Sequence, residues 1–252
     1  MTEFNYEQET KIDPSIIKNR ETLYELFEKR PMPVEQLLIN PGLFMRSGVL
    51  AKILFVNELY EMILHIPGII MEFGIWWGQN IALLENLRAI YEPFNQNRRV
   101  VGFDTFEGYQ SISDKDKESE TIKERGYTVS DNYKNYLEQL IAYHESNNIL
   151  SNIKKHSLIK GNVIETVPQF FKDNPEVIVA AAYFDLALYA PTLACLEAIK
   201  PNLVRGSVVM LDELNWKRYP GETIAFKEAF KDEKFTLKTS RYMPDRTFLI
   251  MD

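Results

Sequence analysis

One cysteine, three histidines and no long uncharged apolar run are what this 252-residue sequence offers at its sparsest. A single cysteine, Cys195, excludes an intrachain disulfide and fits a reducing compartment. His65, His144 and His156 stand without metal-ligand spacing, so surface or satisfied core roles are expected of them. The most apolar stretch, 49–77, is broken by Lys52, Glu58, Glu61, His65 and Pro67, which argues against a membrane span. Basic excess is missing too: 36 Asp and Glu outweigh 29 Lys and Arg, for a net charge of −7. That balance argues against a long phosphate-tracking groove for DNA or RNA. The opening MTEFNYEQETKIDPS is acidic and polar, unlike a secretory signal. The expectation is a cytoplasmic protein that engages neither nucleic acid nor membrane.

What is present is an alternation of apolar runs and helical periodicity. Residues 14–30 have helical spacing that Pro31 and Pro33 end, and a second helix is expected over about 47–65. Strand-length runs follow in IIMEFG, RVVGFD, HSLIKGN, VIVAAAYFD and SVVMLDE, the last opened by a turn at Arg205-Gly206. Helical segments separate them: 80–92, 131–146, the short IETVPQFF and PTLACLEAIKPNL. The polar stretch after Asp104, including the charge run DKDKESE, reads as a solvated surface excursion. A helix, TIAFKEAFKDE, precedes two closely spaced runs, FTLKTSRY and TFLIMD, too near each other for a helical crossover. The pattern predicts an α/β fold: a doubly wound, mostly parallel seven-stranded sheet, Rossmann-like, closed by an antiparallel hairpin. Residues 1–65 are expected to form a helical lid and 66–252 the cofactor-binding domain.

In such sheets ligands bind beyond the C-terminal strand ends, where strand order reverses. Four runs here end in polar residues: Glu72-Phe73-Gly74, Asp104, Asp185 and Asp212-Glu213. The first loop, E-F-G-I-W-W-G, places Trp76 where a dinucleotide fingerprint needs glycine, so a pyrophosphate would meet an indole. A carboxylate at Glu72 suits a cofactor with an amino group and no diphosphate, and Gly74 and Gly78 suit a tight turn. S-adenosylmethionine fits that description. Asp104 is positioned to accept from ribose hydroxyls. Asp185, Asp212 and Glu213 would repel one another without a cation, and hard divalent ions take such oxygen ligands. Trp76 and Trp77 suit either the cofactor or core packing, and Arg46-Ser47 opens a helix whose N-terminus suits a carboxylate.

The runs IPGIIMEFGIWWGQNIALL, VVGFDTFEGY, IKGNVIETVP and YFDLALYAPTLACLEAIKPNLVRGSVVMLDE together resemble class I S-adenosylmethionine-dependent methyltransferases. They look most like the macrocin O-methyltransferase (TylF/MycF) family, whose members methylate sugar hydroxyls with Mg²⁺. The resemblance implies cofactor roles for Glu72, Gly74, Trp76, Gly78, Asp104, Thr105, Asn162 and Asp185, with Asn162 near the adenine. It implies Asp185, Asp212 and Glu213 as metal ligands and Asp185 as the residue that takes the acceptor's proton. Three positions depart from the family pattern. Ala187 stands for the second aspartate of an Asp-x-Asp pair, Glu213 for a second aspartate, and Phe184 for an arginine.

The expected activity is Mg²⁺-dependent O-methylation of a sugar, sugar-linked or other polar small metabolite, with a homodimer left open. Methylation of a phosphate oxygen or an amine is the alternative on the same fold. A nicotinamide-dependent dehydrogenase and a non-catalytic cofactor-binding domain stand further off.

Overall fold

The computed structural model describes residues 14–116, 122 and 125–252, with side chains from residue 18 onward. The first thirteen residues and the 117–120 part of the charge run lie outside the described residues. The chain divides into two compact units, Met1–Lys52 and Ile53–Asp252. In the smaller unit, α1 (Pro14–Glu28) and α2 (Val34–Ile39) precede α3 (Ser47–Met62), which runs on into the larger unit. Phe27 meets Phe44 edge-on at 5.1 Å, and the Arg30 guanidinium covers the Phe27 ring at 4.6 Å. The Arg46 carbonyl accepts from Val49 and Leu50 N–H, so Arg46 opens α3 as its spacing predicts.

The larger unit continues with β1 (Ile69–Phe73), α4 (Gln79–Tyr91), β2 (Val100–Asp104), α5 (Tyr133–Ser146) and β3 (His156–Lys160). Then come α6 (Val163–Asp173), β4 (Val179–Phe184), α7 (Tyr189–Ile199), β5 (Leu203–Leu211), α8 (Pro220–Ala229), β6 (Phe235–Thr239) and β7 (Thr247–Met251). These strands form one seven-stranded sheet in the order β3-β2-β1-β4-β5-β7-β6. The first five are parallel, and β7 enters antiparallel between β5 and β6. Strand order reverses between β1 and β4, which fixes where a ligand crevice opens.

Side-chain alternation along each strand assigns the two sheet faces. Ile70, Ala181, Tyr183, Val208, Met210 and Phe248 pack with α3–α5 residues such as Phe55, Leu59, Ile81 and Leu137. Met71, Phe73, Ala182, Phe184, Val209 and Leu211 pack with Cys195, Leu196 and Phe226 on the α6–α8 side. Every residue of β1 and β4 is buried, as central parallel strands covered on both faces require. Strand β5 begins earlier than the apolar run suggests, at Leu203. Gly206, at φ +86°, lies where the β4 pairing shifts register, so the expected turn is an irregularity within one strand.

A buried arginine staples the N-terminal edge of β1. Arg98 Nη1 donates to the Gly68 carbonyl at 2.6 Å, and Nη2 to Ile63 and Ile66 carbonyls at 3.0 and 2.8 Å. Glu92 neutralises it, Nε to Oε2 at 2.7 Å, and also accepts from the Tyr60 hydroxyl. The end of α3, the turn into β1 and the lead into β2 are thereby held in one register, which sets the depth of the opposite strand ends.

Candidate active site

Period-two alternation that buries Ile70 toward α3–α5 sends Glu72 to the same face. Its side chain is almost wholly buried and accepts from Asn80 Nδ2 at 3.1 Å, in the first turn of α4. Asn80 Oδ1 is buried with no hydrogen-bond partner among the described residues, so a polar acceptor is left beside the Glu72 carboxylate. Two acceptors converging at a strand end suit a cationic donor. Gly74 and Gly78 sit at φ +87° and +79°. A Cβ on Gly74 would lie 2.1 Å from the Asp185 carbonyl oxygen. A Cβ on Gly78 would lie 2.5 Å from Leu137. The contacts that demand these glycines are therefore with β4's end and with α5, whereas the sequence suggests only a tight turn for a ligand.

Asp104 ends β2 and spends its carboxylate on the first loop. Oδ2 accepts from Ile75 and Trp76 N–H at 2.7 and 2.8 Å, and Oδ1 from Phe106 N–H at 2.6 Å. These bonds hold Trp76 in a left-handed conformation, φ +50°, that a non-glycine residue adopts at a cost of about 1 kcal/mol or more. Three of the four lone-pair positions are occupied, so Asp104 retains room for one further donor, not the two expected of a ribose clamp. Trp76 meets the Tyr127 ring at 5.8 Å, and Trp77 meets Tyr133 at 4.8 Å. Thr105 turns inward, donating to the Gly108 carbonyl at 2.9 Å. Asn162 caps α6, its Oδ1 accepting from Ile164 N–H at 3.1 Å while Nδ2 donates to Ser111 Oγ. Thr105 and Asn162 therefore shape the turns around the crevice.

The acidic residues do come together. The pairing of Phe184 with Leu211 sets Asp185 beside Asp212, one residue beyond each strand. One ligand oxygen from each of Asp185, Asp212 and Glu213 lies within 4.8 Å of the others. Asp185 is exposed while Asp212 and Glu213 are buried, so the cluster has one solvent-facing side. Glu213 Oε2 is buried with no hydrogen-bond partner among the described residues. Burial raises the Glu213 pKa well above the carboxylate range, and the charges of Glu222, Asp212 and Asp185 add to it. An orphaned buried oxygen in an all-oxygen donor set fits a hard divalent cation.

Sequence reasoning missed four residues around this cluster. Tyr183 donates to Asp212 Oδ1 at 3.3 Å, and Arg246 Nε stands 2.6 Å from the same oxygen. Glu222, fully buried in the first turn of α8, accepts from Glu213 N–H through Oε1 at 2.9 Å. Tyr109 is pinned by paired backbone bonds to Gly126 and Arg125, and its ring meets Tyr127 at 5.2 Å. Burial, Tyr127 and the charges of Glu213 and Asp185 push its pKa far up, so it remains a protonated donor beside the cluster. Only strand register could have revealed Tyr183 and Arg246.

The charge run is not wholly solvated. Asp116 is fully buried and accepts from Ser113 N–H and Oγ and, at 2.8 Å, from Tyr189 N–H at the start of α7. An otherwise unsatisfied helix N-terminus recruits this carboxylate, which corrects the solvated reading and ties the excursion to the body. A second group, Glu85, Glu145 and His156, also has ligand atoms within 4.8 Å. Arg88 and Lys155 already neutralise it, Glu145 Oε1 lying 2.9 and 2.8 Å from them. Burial lowers the His156 pKa, so the imidazole stays neutral and this cluster is an internal ion-pair network.

The reversed strand order, the antiparallel β7, a glutamate buried at the end of β1 and carboxylates gathered beyond β4 and β5 define an S-adenosylmethionine-dependent methyltransferase of class I. The sequence profile of the macrocin-O-methyltransferase (TylF) family matches residues 55–237, and the chain belongs to that family. Among solved structures, that of CalS11, a calicheamicin methyltransferase, is 36% identical with a TM-score of 0.89, covering 96% of this chain and 94% of that one. The apo structure of CalS11, described as TDP-rhamnose 3'-O-methyltransferase, is 35% identical with a TM-score of 0.83, covering 96% of both. The O-methyltransferase NovP shares the fold at 15% identity, with a TM-score of 0.61 and coverage of 95% and 99%. No curated protein sequence matches the chain. Family membership sets aside the dehydrogenase and the non-catalytic readings.

Proposed function

We propose that the protein transfers a methyl group from S-adenosylmethionine to a hydroxyl of a sugar or sugar-linked metabolite, assisted by a divalent cation such as Mg²⁺. The observation that carries this reading is the convergence of Asp185, Asp212 and Glu213 beside the end of β1. Extensive likeness to a TDP-rhamnose O-methyltransferase supports the sugar as acceptor class.

Each part of the site has a task in that reaction. S-adenosylmethionine supplies a methyl already activated on a sulfonium, so the chain needs no group to improve the leaving atom. Glu72 and Asn80 receive the amino acid end of the donor, and Asp104 holds the loop beneath it while offering one acceptor position. Asp185, Asp212 and Glu213 would hold the cation. A divalent ion there would lower the acceptor hydroxyl's pKa and fix its direction. Asp185, the exposed member, takes the hydroxyl proton as the oxygen attacks the methyl carbon and the S–CH₃ bond breaks, releasing S-adenosylhomocysteine. Holding two reactants in line can contribute on the order of 7–11 kcal/mol, so precise placement outweighs any single charge.

Asp185→Asn is the test. It is expected to lower kcat by at least about a hundredfold, the span of a lost general base, with the Kd for S-adenosylhomocysteine within about threefold of wild type. Unchanged kcat would overturn the assignment of Asp185.

A further inference from the structure

We propose that Tyr183 and Arg246 form a clamp on Asp212 that makes the acidic site selective for a small divalent ion, Mg²⁺ over Ca²⁺. The inference rests on the metal reading above and concerns which ion that site prefers.

Three strands build the clamp. Tyr183 lies on β4, Asp212 follows β5, and Arg246 immediately precedes β7. Tyr183 pairs with Met210, and Leu211 pairs with Thr247, so the register carries all three to adjacent positions. Alternation gives them the sheet face that Met210 and Phe248 share, the face toward α3–α5. The phenol of Tyr183 donates to Asp212 Oδ1 at 3.3 Å, and the Arg246 guanidinium is ion-paired with the same atom, its Nε 2.6 Å away without hydrogen-bond alignment.

Neither partner can drift away. Tyr183 is fully buried, its ring packed edge-on against Phe55 at 6.1 Å. Arg246 is held by its own backbone, N–H to the Met243 carbonyl at 2.9 Å, and by Asp245 at 2.8 Å. Its side chain is only 14% exposed.

Two consequences follow for an ion. With Oδ1 bonded by a hydroxyl and paired with a cation, Asp212 would offer a metal its other oxygen. Arg246 also offsets the charge of Asp212. Ca²⁺ favours six to eight oxygens at about 2.3–2.6 Å, often with bidentate carboxylates, whereas Mg²⁺ takes few carboxylates and keeps its waters. A site in which Asp212 would give one oxygen, with its charge offset by Arg246 and one exposed side at Asp185, favours the smaller ion.

Calorimetric titration of the full chain with MgCl₂ and, separately, CaCl₂ tests this in wild type, Tyr183→Phe, Arg246→Gln and Arg246→Lys. Wild type is expected to bind Mg²⁺ more tightly. The ratio of the Ca²⁺ Kd to the Mg²⁺ Kd is expected to fall about tenfold in Arg246→Gln and about threefold in Tyr183→Phe, because a released oxygen permits two-oxygen coordination. Arg246→Lys keeps the charge and is expected to keep more of the ratio than Arg246→Gln. Equal losses of affinity for both ions, with the ratio unchanged, would overturn the clamp and leave the metal reading standing. Absence of binding heat with either ion in wild type, confirmed by no shift in its melting temperature, would overturn the metal reading itself. If Arg246→Gln fails to fold, Tyr183→Phe, which removes a single hydroxyl, decides the matter alone.

Discussion

Glu222 offers a quantitative handle on the acidic site. Burial, together with the neighbouring Asp212 and Asp185 carboxylates, pushes its pKa up to about 8 from 4.5, although the Glu213 N–H it accepts opposes the shift. Folded protein therefore retains a proton that the unfolded chain releases near pH 4.5, so the native state binds more protons through this interval. Stability contributed by the protonated form is complete below about pH 4.5 and is lost as pH rises through 8. One proton is worth 1.36 kcal/mol per pH unit, so Glu222 alone removes about 3 kcal/mol between pH 4.5 and 7. For a chain of this size that corresponds to roughly 6–12 °C in melting temperature. Glu222→Gln retains an acceptor for the Glu213 N–H and removes the titration. Metal-free wild type and variant, melted in parallel from pH 5 to 8 in chelator, are expected to diverge, with wild type falling more steeply. Parallel profiles would refute the reasoning.

Two further outcomes bear on separate parts of the molecule. Glu72→Gln removes the charge from a buried acceptor and is expected to weaken S-adenosylhomocysteine binding tenfold or more by calorimetry, since a hydrogen bond to a charged group is worth about 1.5–3 kcal/mol. Glu145→Ala leaves Lys155 with backbone carbonyls but no carboxylate and Arg88 with Glu85 alone, and is expected to cost about 3 kcal/mol in denaturant unfolding, with cofactor affinity unchanged. Arg88 and Lys155 hold the Glu145 pKa down to about 2 despite burial, so its contribution is present above pH 4.5 and is lost as pH falls toward 2.

Much of the fold is legible because strands buried on both faces must read as apolar runs, as IIMEF and VAAAYF do. Asp185, Asp212 and Glu213 are visible as the first polar letters after such runs, and Glu72 as the one charge near the end of β1, which is where a parallel sheet opens its crevice. The hidden part depends on register. Arg246 sits in a turn that looks like ordinary surface, and Tyr183 looks like one more core residue. Their meeting on Asp212 arises from strand pairing, β5 with β7 and β4 with β5. Glu222 resembles a common first-turn helix carboxylate, and Asp116 is disguised by the charges around it. Asp104 shows the same limit: its position at a strand end is readable, but its commitment to three loop amides is not.

The central claim is cation-assisted methylation of a sugar hydroxyl, and turnover of a nucleotide-linked deoxysugar with labelled S-adenosylmethionine tests it most directly. The reaction is run with Mg²⁺ and with excess chelator, and the product is read by NMR. The account predicts a methyl carbon bonded to a sugar oxygen, formed with Mg²⁺ and abolished by chelator with restoration on adding the ion back. Full turnover in chelator, or a methyl group on a nitrogen or a phosphate oxygen, would contradict it.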